Sequence, residues 1–180
     1  ENEIKKEEHD DKFNYRINIS NNITNILKEI TNTCHSSRTL ILEFHNSNEN
    51  LAGIPFAKYD VTFEWLSRNV STISSKCKDM QVQVLSPILP MIKSAKNNII
   101  HYDANDISHT IYNKSSVLYS QLTELNVTDV IYSGIYNNNN ILVGVISVEF
   151  TKTHPYVEQN VDYDLINALT EKISLLIQMK

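Results

Sequence analysis

The stretch DVIYSGIY-NNNN-ILVGVISVEF, residues 129–150, constrains the fold more than any other. Two apolar runs of strand length flank four asparagines, and asparagine tolerates the left-handed backbone that a tight turn needs. In the second run Leu142, Gly144, Ile146 and Val148 alternate with Val143, Val145 and Ser147. Both faces are therefore largely apolar, which predicts a strand in the middle of a sheet. Behind it, Asn160 or Asp162 is placed to cap a helix whose Leu165, Ile166, Leu169, Ile173, Leu176 and Ile177 share one face.

The rest of the chain supplies the partners such a hairpin requires. Residues 1–14, opening ENEIKKEEHDDK, are nearly all polar or charged and read as a tether or the polar continuation of a helix. From Tyr15 onward Ile19, Ile23, Ile26, Leu27, Ile30 and Cys34 recur at helical spacing, and Ser36, Ser37 and Arg38 end the run. TLILEF (39–44) is a short apolar strand, and KYDVTFEW (58–65) alternates Tyr59, Val61, Phe63 and Trp65 against Asp60, Thr62 and Glu64. The thirteen residues between them form a long connection, in which Gly53-Ile54-Pro55-Phe56 reads as a turn. Residues 67–80 read as a polar, mobile loop. A short helix at about 88–96 follows, then the strand IIHYD with turn chemistry at Asp103, Asn105 and Asp106. A second short helix starts at Ser115, with Val117, Leu118, Leu122 and Leu125 on one side. This order predicts one α+β domain over 15–180, a central antiparallel sheet packed by the N- and C-terminal helices.

Composition excludes several functions. The net charge is −5 and the sixteen Lys and Arg are scattered, so nucleic acid is not an expected partner. Only three glycines occur, and neither GxGxxG nor GxxxxGK[ST] can be written with them. Cys34 and Cys77 lie in no CxxC and form no disulfide framework, though they stand far enough apart in sequence for a bridge. No apolar stretch is long enough to span a membrane. The chain begins with Glu, which suggests a fragment whose upstream part held a signal or anchor.

ILVGVISVEF followed by the capped helix DYDLINALTEKISLLIQ resembles the closing segment of GAF/PAS-like domains. That resemblance is good over 115–180 and looser over 17–65. A narrower resemblance, carried by the charged N-terminus, GIPFAKYDVTFEW and the ILVGVISVEF ending, is to the soluble domain of T-type bacteriophage holins and similar membrane-tethered phage proteins. It implies a non-enzymatic regulatory domain that controls host lysis through oligomerisation or an antiholin-like partner. It also implies membrane attachment through an upstream segment, with the periplasmic side favoured over the cytoplasm. The alternative is a small-molecule sensor domain of a bacterial signalling protein.

Glu43, His45 and Asn46 at the end of the first strand, with Phe63, Trp65 and His101, are the candidate ligand-binding residues, set over the open face of the sheet with Glu64 opposite. The competing reading is that His45 and Asn46 only shape the long connection. His101, Asp103 and His45 do not make a complete metal-ligand set, so no metal and no cofactor are expected. Neither GxSxG nor a cysteine paired with a base is present: Cys34 and His35 are neighbours whose side chains diverge on a helix. Homodimerisation, or a higher oligomer, is expected through the apolar stripes Ile19, Ile23, Ile26, Ile30 and Leu169, Ile173, Leu176.

Overall fold

The computed structural model describes residues 2–49, 55–103 and 116–178. The chain runs α1 (Asn2–Cys34), β1 (Arg38–Glu49), β2 (Pro55–Leu66), β3 (Met80–Gln81), α2 (Leu89–Ser94), β4 (Ile99–Asp103), α3 (Ser116–Glu124), β5 (Val127–Tyr136), β6 (Leu142–Thr151) and α4 (Tyr163–Gln178). All strands join one antiparallel sheet in the order β3-β2-β1-β6-β5-β4. The expected α+β architecture is present, and β6 lies at the sheet's centre with both faces buried over most of its length.

Local chemistry accounts for the element ends. The β5–β6 turn closes on Asn137, whose Oδ1 accepts the N–H groups of Asn139 (3.0 Å) and Ile141 (2.9 Å), while Asn140 takes a φ of 57°. At the start of α4 the Asp162 Oδ1 accepts the Leu165 N–H at 2.9 Å, so Asp162 and not Asn160 is the cap. Helix α1 stops where His35 enters the left-handed region (φ 53°) and the Ser36 N–H returns to the Thr31 carbonyl at 3.1 Å. Residues 2–14, mostly polar, are the first turns of α1, the helical continuation that was one of the two expected readings.

Each face of the sheet carries its own core. On one, α1 and α4 lay Ile23, Leu27, Ile30, Ile166 and Ile173 over Ile41, Ile131, Ile146, Val148 and Phe150. The residues expected to pair two copies are consumed here: Ile19, Ile23, Ile26, Ile30, Leu169 and Ile173 are 0–8% exposed and Leu176 is partly buried. A stripe wide enough to cover a sheet cannot also face a partner. Among the described residues, the large apolar side chains that α1 and α4 leave outside are Phe13, Ile17 and Leu175.

The second face is not open. Leu40, Leu42, Val61, Val130, Tyr132 and Val145 are covered by Ile73, Leu85, Ile88 and Ile92 from the 67–94 segment and by Leu118 and Leu122 of α3. Val117 of α3 points outward instead, 53% exposed. The 67–79 segment, expected to be mobile, is a strap tied to β2. Glu64 accepts hydrogen bonds from the Thr72 and Ser74 hydroxyls and from the Ile73 N–H (3.1 Å). The Val61 N–H reaches the Cys77 carbonyl at 3.0 Å.

Two expectations about β1 and β2 need correction. The long connection is mostly strand, because β1 continues to Glu49 and β2 begins at Pro55. Gly53 and Ile54 of the expected turn lie outside the described residues, as do Asn105 and Asp106. A bulge also interrupts the pairing, with Ile41 opposite Phe63 but Leu42 opposite Val61. The extra residue, Thr62, reverses the alternation. Tyr59 and Val61 therefore face the strap and α3, whereas Phe63 and Trp65 face α1.

Candidate functional site

Under the strap and α3 the sheet leaves a cavity of about 160 Å³. Its floor is Leu40 and Leu42 of β1, Tyr59 and Val61 of β2, Tyr132 of β5, and Ser147 and Glu149 of β6. Its roof is Ile73, Cys77, Met80, Leu85, Leu118 and Leu122, with Lys76, Gln121 and Glu124 also lining it. The central strands supply the floor because side chains at alternate positions reach the same face.

One buried ion pair holds floor and roof together. Arg38 and Glu149, 3% and 4% exposed, stand opposite each other in the β1–β6 register, and the Arg38 Nε donates to Glu149 Oε2. Glu149 Oε1 also accepts the Ser147 hydroxyl at 3.3 Å. The Arg38 Nη1 and Nη2 atoms reach the carbonyls of Ser71 and Leu125, both at 3.4 Å. Arg38 thus ties the strap and the end of α3 to the middle of the sheet. Buried charges are retained where partners of this kind surround them.

Two phenols complete the polar part of the wall. Burial raises the Tyr59 hydroxyl pKa, and the negative charges available to Cys77 and Glu149 raise it further. Tyr132 is driven up in the same way, first by burial and then by Glu149 and Tyr59. Both stay protonated near neutral pH and can donate a hydrogen bond.

The sequence-derived candidates lie elsewhere. Glu43 points to the helix face, where Arg16 of α1 clamps it through Nη1–Oε1 (3.0 Å) and Nη2–Oε2 (2.5 Å). The same guanidinium sits 4.6 Å over the Phe63 ring, and Lys28 lies 5.4 Å over Trp65. His45 stands near the end of β1, its Nε2 3.4 Å from Asp60 Oδ1. Asn46 is opposite Ala57 in the β1–β2 register, one pair beyond His45. Glu64 is on the other face, bound to the strap. The set over one open face is therefore divided, because the Thr62 bulge and the sheet's alternation send its members to different layers.

His101 is on β4, with β5 and β6 between it and β1, so it does not join His45. Its Nε2 is 3.0 Å from Asp129 Oδ1 and its ring stacks on Tyr156 at 4.0 Å. Among the described residues, one grouping, His45, Asp60 and Asp79, has its ligand atoms within 4.8 Å of one another, close enough for a divalent ion. Lys58 already places its ammonium 3.2 Å from Asp79, and the Asp79 N–H already donates to Asp60 at 2.6 Å. Cys34 and Cys77 are both free thiols in the separate cores on opposite faces, which rules out a bridge between them.

Sequence reasoning missed Arg38, Tyr59, Tyr132, Ser147 and Glu149 as a group. A signal was present in ISVEF: a glutamate inside a strand buried on both faces requires a cation, and Arg38 opens the neighbouring strand.

No protein-family model matches the sequence, and neither does any curated protein. Solved structures do match. The PixJ GAF domain of Thermosynechococcus elongatus, in its blue-light-absorbing form, superposes with a TM-score of 0.61 at 10% identity, over 91% of this chain and 87% of that one. The phycocyanobilin-bound GAF domain of a cyanobacterial phytochrome gives 0.60 at 13% identity, over 88% and 84%. A domain from Sinorhizobium meliloti, described as part of a two-component sensor histidine kinase, gives 0.52 at 13% identity, over 84% and 85%. These neighbours are photoreceptor and sensor domains, which overturns the expectation of holin-type lysis control. No helix among the described residues is long and apolar enough to cross a membrane. The chain has the α+β fold of the GAF domains, a six-stranded antiparallel sheet flanked by helices.

Proposed function

We propose that this chain is a small-molecule sensor domain that binds its ligand in the cavity between the sheet and the strap–α3 roof. The observation that carries this reading is the cavity itself, apolar with a few convergent polar groups and roofed by a strap and a short helix. Binding, not catalysis, is the action proposed: Glu149, which accepts the Ser147 hydroxyl, is already neutralised by Arg38. Ligand would draw the strap and α3 onto the floor, and the sheet would pass the change to α1 and α4 on its other side. Those helices are already joined there, the Tyr15 hydroxyl donating to the Leu176 carbonyl at 2.7 Å.

The chromophores of the neighbours are not carried over. The cavity here has about the size of one that accepts a single benzene ring, too small to carry over the phycocyanobilin of the phytochrome neighbour. Pairing of two copies, if it occurs, is proposed to use Phe13, Ile17 and Leu175 and not the buried stripes. Amide chemical-shift mapping during titration with a mixture of small metabolites tests the site. Shifts should concentrate at Leu42, Val61, Cys77 and Leu122. Shifts centred on Glu43, His45 and Trp65 would move the site to the helix face and overturn the reading.

A further inference from the structure

Asp79, the last residue of the strap, sits at a corner where β1, β2 and β3 meet, apart from the cavity under the strap. His45 of β1 is opposite Lys58 of β2, and Asp60 stands opposite Glu43, so His45 and Asp60 are diagonal neighbours on one face. Met80 and Gln81 pair with Tyr59 and Lys58, which brings Asp79 alongside Asp60. Asp79 takes a φ of 54°, a left-handed conformation that aspartate tolerates, and its N–H donates to Asp60 Oδ1 at 2.6 Å.

The three side chains converge to coordination range. Their ligand atoms lie within 4.8 Å of one another, and His45 Nε2 is 3.4 Å from Asp60 Oδ1. Bonds of about 2.1 Å in a tetrahedral zinc site put neighbouring ligand atoms roughly 3.4 Å apart, so this pair has the spacing of two ligands on one ion. It is not a hydrogen bond: the His45 Nε2 atom is shielded from solvent and has no hydrogen-bond partner. A shielded nitrogen left unsatisfied is costly, and a metal ion would satisfy it.

The surroundings suit an ion. Asp60 and Asp79 are 36% and 69% exposed, which leaves a path from solvent and room for water in the remaining coordination positions. The Asp79 N–H orients the Asp60 carboxylate, as outer-shell hydrogen bonds do in metal sites. Lys58 holds Asp79 at 3.2 Å, but two carboxylates against one ammonium leave the corner net negative. An imidazole nitrogen in the set favours a transition metal over Mg²⁺ or Ca²⁺, which prefer oxygen ligands.

We infer that His45, Asp60 and Asp79 bind a divalent transition metal, with Zn²⁺ the best match, and that the ion fastens the end of the strap to β1 and β2. Lys58, on its flexible stem, yields Asp79 to the ion. The site does not depend on what the cavity binds. Only the sheet register brings Asp60 and Asp79 to His45, so their spacing in sequence shows no metal-binding pattern.

The test uses the 180-residue chain without an affinity tag, cleared of metal with EDTA, in calorimetric titrations with ZnCl₂ and MgCl₂. The wild type binds Zn²⁺ and shows no comparable uptake of Mg²⁺. His45→Ala and Asp79→Asn each weaken Zn²⁺ at least about tenfold, the low end of what even an outer-shell change costs a metal site. Lys58→Met tightens it by about 1.5- to 5-fold, the worth of one exposed ion pair. His45→Ala removes no hydrogen bond of Nε2, so without metal it should melt within about 2 °C of wild type. The Val61 N–H donates to the Cys77 carbonyl at 3.0 Å, and bound Zn²⁺ should slow its exchange in the wild type but not in Asp79→Asn. Undiminished Zn²⁺ binding by His45→Ala would mark an adventitious ion on other histidines and overturn the site, as would no uptake by the wild type. Mg²⁺ bound as tightly as Zn²⁺ would overturn the metal class. Zn²⁺ held through His45 and Asp79 with Val61 exchange unchanged would overturn the fastening of the strap.

Discussion

Breaking the Arg38–Glu149 pair should cost far more than a surface salt bridge, and deleting both partners should cost much less than deleting one. Both residues are nearly fully buried, and Arg38 also serves the Ser71 and Leu125 carbonyls. Arg38→Met leaves the Glu149 carboxylate in a low-dielectric setting with only the Ser147 hydroxyl, a loss of about 3–5 kcal/mol. At about 2–4 °C per kcal/mol for a domain of this size, Tm should fall by roughly 6–20 °C. In Arg38→Met/Glu149→Leu no charge remains to be desolvated, and stability should return to within about 2 kcal/mol of wild type. Urea unfolding followed by circular dichroism gives all the terms of this double-mutant cycle. A loss below about 1 kcal/mol for Arg38→Met, the value for an exposed pair, would refute the reasoning. So would a double variant as unstable as the sum of the singles.

Three further outcomes are expected. Gly144→Ala should destabilise by about 1–3 kcal/mol in the same assay, because a Cβ there would lie 2.6 Å from the Leu42 carbonyl oxygen of the paired strand. Burial pushes the Cys34 thiol up to about 11 from 9.0, against a smaller opposing hydrogen bond from the Asp162 backbone. The unfolded chain therefore loses this proton first: the contribution is complete below pH 9 and lost as pH rises towards 11. Urea midpoints from about pH 8 to 11 should fall more steeply for wild type than for Cys34→Ala. Ile173→Asp should fail to fold cooperatively, since it places an unpaired charge at a fully buried site, whereas Ile17→Asp at an exposed site should melt within about 2 °C of wild type.

The framework was legible in the sequence where local chemistry and periodicity agree. The asparagine turn, the two-faced β6 and the Asp162 cap are short-range features, and each is present as expected. The site was not legible because it depends on parity across strands. One extra residue at Thr62 sends Tyr59 and Val61 to one face and Phe63 and Trp65 to the other, and no pattern in KYDVTFEW marks the bulge. The burial of Arg38 depends on a partner 111 residues away, and Glu43 was read as a ligand contact because Arg16 is remote in sequence. The amphipathic stripes of α1 and α4 show that these helices pack on something. Only the topology shows that it is their own sheet.

Native mass spectrometry of the domain purified from its host cells tests the central claim most directly, with Leu122→Trp as the paired variant that fills the cavity. The account predicts a bound small molecule on the wild type that dissociates on denaturation and is missing from Leu122→Trp. Equal occupancy of both proteins, or none on either, would contradict it.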